Sequence, residues 1–282
     1  MEKDIYPTRK YSEYKIIDRA DDTCNGDSDW CKEYDRNGFY IFRNALDNSW
    51  IESALIEAMS IKDDPRYYKN AEPGSHTVRS ALGVHESVII GSFLQSATCG
   101  EIVDSITGCA SYIHQSRVNY KAPKSSSGWS WHSDFETWHS QDGMPRMRAF
   151  TFMIPLVNNN KENGCLNVIP GSHKHFISTE HGKEYSSEEN FSSQKVGVPT
   201  ADAIDDIINI TGSSVTPLEC RSGDIVIFDC NTLHFSGENK SEDYRQNLFF
   251  VVNDKSNELN APYNYSFLRP EEMAARKSIT EI

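Results

Sequence analysis

Tyr112-Ile-His-Gln-Ser-Arg-Val-Asn-Tyr120 is the stretch at which this 282-residue chain changes its period. Alternation there predicts a strand, and it places Gln115, Arg117 and Asn119 on one face. Upstream the pattern is mostly helical. A short buried strand is expected over 39–42, followed by a helix capped by Asn48 or Ser49 with Ile51, Ala54, Leu55, Ala58 and Met59 at helical spacing. Residues 64–84, rich in Pro, Gly, Lys and Ser, read as a long surface loop, and further helices are expected over 86–96 and 100–107. Downstream come strands over 147–157, 165–169, 215–219, 224–230 and 245–253, separated by Gly and Asn turns, with a short helix over 201–210. Helices followed by closely spaced strands predict an α+β fold. Its core is expected to be an antiparallel sandwich or open barrel; a double-stranded β-helix, the jelly-roll scaffold of cupins, fits the order, though periodicity does not separate it from another sandwich.

We read residues 1–282 as a single domain. Residues 1–33 form an N-terminal arm whose Asp21, Asp22, Asp27 and Asp29 are expected to be solvated, and the polar segment 176–200 is a lid or surface insertion. Lys plus Arg number 28 against 41 Asp plus Glu, so the net charge of −13 argues against nucleic acid or an anionic membrane as partner. Seven cysteines without a CxxC pair, an N-terminus without an apolar stretch and the lack of any run of about eighteen apolar residues predict a cytoplasmic protein with reduced thiols.

The chemistry concentrates in Trp129-Ser-Trp-His-Ser-Asp-Phe-Glu-Thr-Trp-His139. On an extended strand His132 and Asp134 share a face and can reach one metal ion. Two His and one carboxylate on one face are the ligand set of non-haem Fe(II) oxygenases. His234, a short turn after the strand 224–230, is the best third ligand; His173 with His175, and His139, are the competing histidines. Arg245, with Ser236 adding a hydroxyl, suits a bidentate carboxylate such as the distal end of 2-oxoglutarate.

The segment Trp131-His-Ser-Asp-Phe-Glu-Thr-Trp-His139, followed by Asp142-Gly-Met-Pro-Arg-Met-Arg148, closely resembles the signature of ectoine hydroxylases. These belong to the phytanoyl-CoA dioxygenase-like branch of Fe(II)/2-oxoglutarate oxygenases. The similarity extends through Gln115-Ser-Arg-x-Asn119, Asn163-Gly164, Ile169-Pro-Gly-Ser-His173, Phe228-Asp-Cys-Asn231, His234, Arg245 and Arg269-Pro270. It implies His132, Asp134 and His234 as iron ligands. Asn119, Trp129, Ser236 and Arg245 would hold 2-oxoglutarate, with O₂ as the second co-substrate. Gln115, Trp138, Ala149, Phe228, Phe249 and Arg269 would contact a small cyclic amino acid, the aromatics enclosing its cationic ring. Trp129 stands where the family usually has Phe, Gln141 where it has Glu, Cys165 where it has Pro and Leu82 where it has Phe. The implied reaction is hydroxylation of ectoine to 5-hydroxyectoine. L-proline or a similar imino acid is the alternative substrate, and a non-catalytic metal-binding jelly roll the alternative class. The resemblance also suggests a homodimer.

Overall fold

The computed structural model describes all residues except 1–5, 7–13, 125–126, 179–185, 187–188, 191–193, 264 and 278. Its strands are β1 (Lys15–Asp18), β2 (Phe39–Phe42), β3 (Tyr68–Ala71), β4 (Val78–Leu82), β5 (Ser111–Lys121), β6 (Trp129–His132), β7 (Ala149–Pro155), β8 (Leu166–Val168), β9 (His175–Ser178), β10 (Thr216–Leu218), β11 (Ile225–Asp229), β12 (His234–Ser236), β13 (Arg245–Asp254) and β14 (Thr280–Glu281). The helices are α1 (Asp29–Asn37), α2 (Asn48–Ile61), α3 (Val88–Gly91), α4 (Ala97–Thr107), α5 (Asp134–Thr137) and α6 (Ala201–Thr211).

A large antiparallel sheet runs β2-β11-β7-β13-β5-β4-β3, with β14 added beside β5, and faces a four-stranded sheet ordered β10-β8-β12-β6. This is the jelly-roll core. Period-two alternation assigns the faces of the large sheet. Val118, Tyr120, Phe150, Phe152, Ile154, Leu248, Phe250 and Val252 pack against α2 and α4 through Ile51, Ala54, Ala58, Ile102, Val103 and Ile106. The opposite face of β5 and β13 turns toward the small sheet, so β13 is buried along its whole length. A buried Phe or Ile truncated to Ala in the helix-backed layer is worth about 2–5 kcal/mol.

The surface loop expected over 64–84 contains the hairpin β3–β4 instead, and β4 is nearly all buried where it pairs with β5. Loop-like composition was overridden there by tertiary burial. The helix expected from Asn48 begins at that residue, but the N-cap is Asp47, with no side-chain capping bond. In the arm, Asp22, Asp27 and Asp29 are exposed, while Asp21 is 8% exposed. It accepts from Tyr6 Oη at 2.8 Å and from Met147 N at 3.1 Å, and pairs with Arg146. Of the four aspartates Asp21 alone is tied down, and the described part of the arm is also held by β1 paired to β9. Much of the expected lid falls outside the described residues. All seven cysteines are free, and among the described residues no helix is long and apolar enough to cross a membrane.

Candidate metal centre and pocket

β6 and β12 pair antiparallel with His132 opposite His234, so two imidazoles meet across the strands with ring centroids 4.1 Å apart. Asp134 is not on that strand. β6 ends at His132, Ser133 caps α5 by accepting from the Glu136 amide at 3.4 Å, and Asp134 opens the helical turn. The Ser-x-x-Glu spacing of a capping box signals that turn in the sequence. His234, expected in a turn after a strand, is the first residue of its own strand β12.

Ligand atoms of His132, Asp134 and His234 lie within 4.8 Å of one another, the one such group of three among the described residues. His132 Nδ1 is 2.7 Å from Ser130 O and His234 Nδ1 2.9 Å from Thr232 O. Carbonyls only accept, so each ring carries its proton on Nδ1 and presents an Nε2 lone pair. Burial, then the neighbouring His234, push His132 down to about 3, against the pull of Asp134, so its 3.7 Å contact with Asp134 is not an ion pair. Asp134 Oδ2 is buried without a hydrogen-bond partner. Two bare imidazole nitrogens and an unsatisfied carboxylate oxygen fit a divalent cation bound on one face, a facial triad. His173 is held instead by the carbonyl of Asp35, His175 pairs with Asp18, and His139 lies between the carbonyls of Tyr6 and Met144.

The triad opens into a pocket between the two sheets, whose lining includes Gln115, Asn119, Trp129, Trp138, Ser236, Arg245, Phe249 and Arg269. Register explains much of this. β13 pairs with β5 so that Arg245 faces Lys121, Asn247 faces Asn119 and Phe249 faces Arg117. Arg245 is 3% exposed, and its Nε has no acceptor. Burial lowers its pKa to about 10, still cationic at neutral pH. Arg245 Nη1 donates to the carbonyl of Gly164, a residue at φ +71° whose Cβ would stand 2.5 Å from Gly237 O. Asn119 Oδ1 accepts from Ser80 at 2.8 Å, leaving its NH₂ for the pocket. Trp129, the departure from Phe, carries the Arg79 guanidinium 3.5 Å over its ring, and Arg79 in turn pairs with Glu72 at 2.8 Å.

Toward the other end, Arg269 Nε donates to Asp142 Oδ1 at 2.7 Å and Nη2 to Oδ2, while His114 Nε2 lies 3.4 Å from the same carboxylate. Gln115 Nε2 donates to Met273 O at 2.9 Å, a carbonyl that Arg269 also approaches. Ala149 and Phe228 are outside the lining. Ala149 packs with Phe135 and Trp138, and Phe228 lies behind His234 at 5.3 Å between ring centroids. The expected three-aromatic enclosure is therefore not assembled: Trp138 and Phe249 reach the pocket, and the Arg117 guanidinium sits 4.6 Å over the Phe249 ring. Sequence reasoning put Arg117 on this face without a role, and it missed Asn190 and Gln194, which line the pocket from the 176–200 segment. Asn190 Nδ2 approaches Gln141 Oε1 at 3.4 Å. Polar segment composition carried no signal that these two side chains would turn inward.

Residues 34–247 match the family model described as phytanoyl-CoA dioxygenase. An ectoine dioxygenase of Bordetella parapertussis is 34% identical over 295 residues, covering 99% of this chain and 95% of the relative. One of Halomonas elongata is 35% identical over 247 residues, covering 86% and 74%. The crystal structure of EctD from S. alaskensis with 2-oxoglutarate and 5-hydroxyectoine superposes with a TM-score of 0.85 at 29% identity, covering 97% of this chain and 95% of that one. With the jelly roll, the facial triad and these likenesses together, the chain belongs to the phytanoyl-CoA dioxygenase family and is a 2-oxoglutarate-dependent dioxygenase.

Proposed function

We propose that this dioxygenase hydroxylates a free small cyclic amino acid, converting ectoine to 5-hydroxyectoine. One observation carries the reading: a single pocket is lined by the triad and by two buried guanidiniums, Arg245 and Arg269, set toward opposite ends of β5. Arg245 sits opposite Lys121, whereas Arg269 shares the Met273 carbonyl with Gln115. Six residues of strand separate Gln115 from Lys121, about 20 Å. Two anionic ligands can therefore be held at once, one by each guanidinium. The relatives' activity and the ligands of the S. alaskensis structure support the same pairing of ligands.

In this reading His132, Asp134 and His234 hold iron, and Arg245, Ser236, Asn119 and Trp129 hold 2-oxoglutarate. Bound iron supplies O₂ activation, coupled to oxidative decarboxylation of 2-oxoglutarate to succinate and CO₂, with one oxygen atom inserted into a substrate C–H bond. The chain's own part is placement. The two Nδ1–carbonyl bonds fix the ring planes of His132 and His234. Asp142 steadies Arg269 for the substrate carboxylate. Trp138 and Phe249 wall the reacting carbon from bulk water.

The test incubates purified Fe(II)-loaded protein with 2-oxoglutarate and ectoine, with L-proline in parallel, and looks for a mass gain of one oxygen in the substrate. Hydroxyectoine is the expected product. A product from proline alone transfers the assignment to an imino acid, and no substrate-dependent succinate with any small cyclic amino acid overturns it.

A further inference from the structure

β4 covers only part of β5. It pairs with Arg117, Val118 and Asn119, and Gly83 N donates to Ser116 O at 3.0 Å, which leaves the start of β5 without a strand on that side. The C-terminal residues fill the gap. β14 sets Thr280 opposite Ile113 and Glu281 opposite Tyr112, Ile282 N donates to Ser111 O at 3.1 Å, and Ala275 N donates to His114 O at 3.0 Å. Backbone groups on an open sheet edge need partners, so pairing there fastens the segment after β13 to the fold as a strap. Arg269 and the Met273 carbonyl, which meets Gln115 at 2.9 Å, both belong to this strap. Residues 34–247, the part matched to the family, hold all three iron ligands and Arg245 but none of the strap.

The strap grips Asp142 twice. Arg269 takes its carboxylate, and Arg276 Nη2 donates to its backbone carbonyl. Arg276 Nη1 donates to Asn260 O at 2.8 Å, and Asn260 N donates in turn to Gly143 O at 2.9 Å. One planar guanidinium therefore bridges carbonyls of two separate segments, a span that suits its rigid fork and not the single nitrogen of a lysine. The segments are tightly apposed there. Gly143 has φ +74°, and a Cβ on it would stand 2.5 Å from Asn260 O and 2.4 Å from Ala261 O. Arg276 is itself oriented, because its N–H donates to Glu271 Oε1 at 2.6 Å. Its side-chain donors end on neutral oxygens, so what Arg276 fixes is geometry. Arg269 lines the pocket whereas Arg276 and Asp142 do not, so Arg276 acts on a ligand only through them.

We infer that Arg276 is a positioning residue for the amino-acid substrate: by holding the Asp142 carbonyl against Asn260 it fixes the direction of the Asp142 carboxylate, and with it the face that Arg269 turns to the substrate carboxylate. The inference rests on the reading that Arg269 takes that carboxylate. The strap is then the element that selects the substrate, while the strands of the two sheets hold iron and 2-oxoglutarate. Arg276 thus affects one of the two organic ligands and not the other.

The experiment measures equilibrium binding by calorimetry to the Fe(II)-loaded protein without oxygen. 2-Oxoglutarate is titrated first. With it saturating, ectoine follows, or L-proline if wild type hydroxylates only that. Wild type is compared with Arg276→Met, Arg276→Lys, Arg269→Met and the Arg269→Met/Arg276→Met pair. A well-aligned bond to a charged group is worth ~10–100-fold in affinity, so Arg276→Met, which keeps Arg269 but frees it to turn, should weaken the amino acid by about tenfold. Affinity for 2-oxoglutarate should change by less than about twofold. Arg276→Lys, which reaches one carbonyl rather than two, should fall between wild type and Arg276→Met. Because Arg276 acts through Arg269, the double variant should bind the amino acid about as Arg269→Met alone does. Equal weakening of both ligands, the mark of a merely structural role, overturns the inference, as do multiplicative effects in the double variant or wild-type affinity for the amino acid in Arg276→Met. If Arg276→Met does not fold, Arg276→Lys carries the same comparison. Arg269→Met separates the two levels. If it binds the amino acid as wild type does, the reading of this pocket end fails; if it loses binding while both Arg276 variants keep it, only the role of Arg276 fails.

Discussion

Asp142→Asn tests how the end of the pocket proposed to take the substrate is held. Asp142 is 0% exposed, its two oxygens receive Nε and Nη2 of Arg269, and His114 approaches one of them. The substitution keeps the shape, removes the charge and turns an NH₂ toward a guanidinium that can only donate. Arg269, 5% exposed, is then a buried cation without its partner. Breaking such a pair costs about 3–5 kcal/mol, and in a chain of this size that lowers Tm by on the order of 10 °C. Burial raises the Asp142 pKa, but the charge of Arg269 and bonds from His114 and Arg269 outweigh it, so the folded value lies below the ordinary one. A depressed carboxyl pKa stabilises fully above the unfolded value of about 4 and loses that contribution as pH falls through the folded value. The gap between wild type and variant should therefore be full at pH 7 and shrink below about pH 4, as far as wild type stays folded. Thermal unfolding across that range is one assay. The other is steady-state kinetics: KM for the amino acid should rise and KM for 2-oxoglutarate should not. An unchanged Tm, or a gap that does not depend on pH, would refute the reasoning.

Three further outcomes follow from the same geometry. Asp134→Ala removes the one carboxylate of the triad; metal analysis should show lost iron retention, and substrate-dependent succinate should disappear. Gly164→Ala puts a Cβ 2.5 Å from Gly237 O and 2.7 Å from Glu238 O at φ +71°. The left-handed cost of ~1–2 kcal/mol and the displaced backbone should lower Tm and raise KM for 2-oxoglutarate, with the substrate's KM left alone. Chelation of iron should lower Tm reversibly, by about 2.7 kcal/mol of stability where free metal had stood at ~100 times its Kd, with re-addition restoring both Tm and turnover.

Local patterning makes the longer strands β5, β7, β11 and β13 legible, because a run along a strand needs no knowledge of its partner, whereas β12 reads as a turn and the ligand histidines come from their motif. β5 illustrates both the reach and the limit. Gln115, Arg117 and Asn119 were placed on one face from the sequence, and all three line the pocket. Lys121 completes that face, yet its meaning depends on the register that sets Arg245 opposite it, which no local pattern encodes. The hairpin β3–β4 was hidden for a related reason: its Pro, Gly and Lys content reads as loop, and burial against β5 decides otherwise. Asp134 is a third case. The capping pair Ser133 and Glu136 was there to be read, but the strand reading of His132 ran through it. Phe228 and Ala149 stand apart from the residues that line the cavity, packed in the clusters of Phe249 and Trp138.

The position of β13 has a consequence for how the chain comes together. It lies between β7 and β5, bonded to both, so the middle of the large sheet is supplied by one of the last strands in the chain. During synthesis all three iron ligands emerge before it. Until residues 245–254 arrive, β5 and β7 each keep a long apolar edge without a partner, the state most open to intermolecular pairing. Such non-local closure is slow. The pocket is therefore a late product of folding, and shortened chains ending before Arg245 should accumulate as aggregates rather than as weak iron binders.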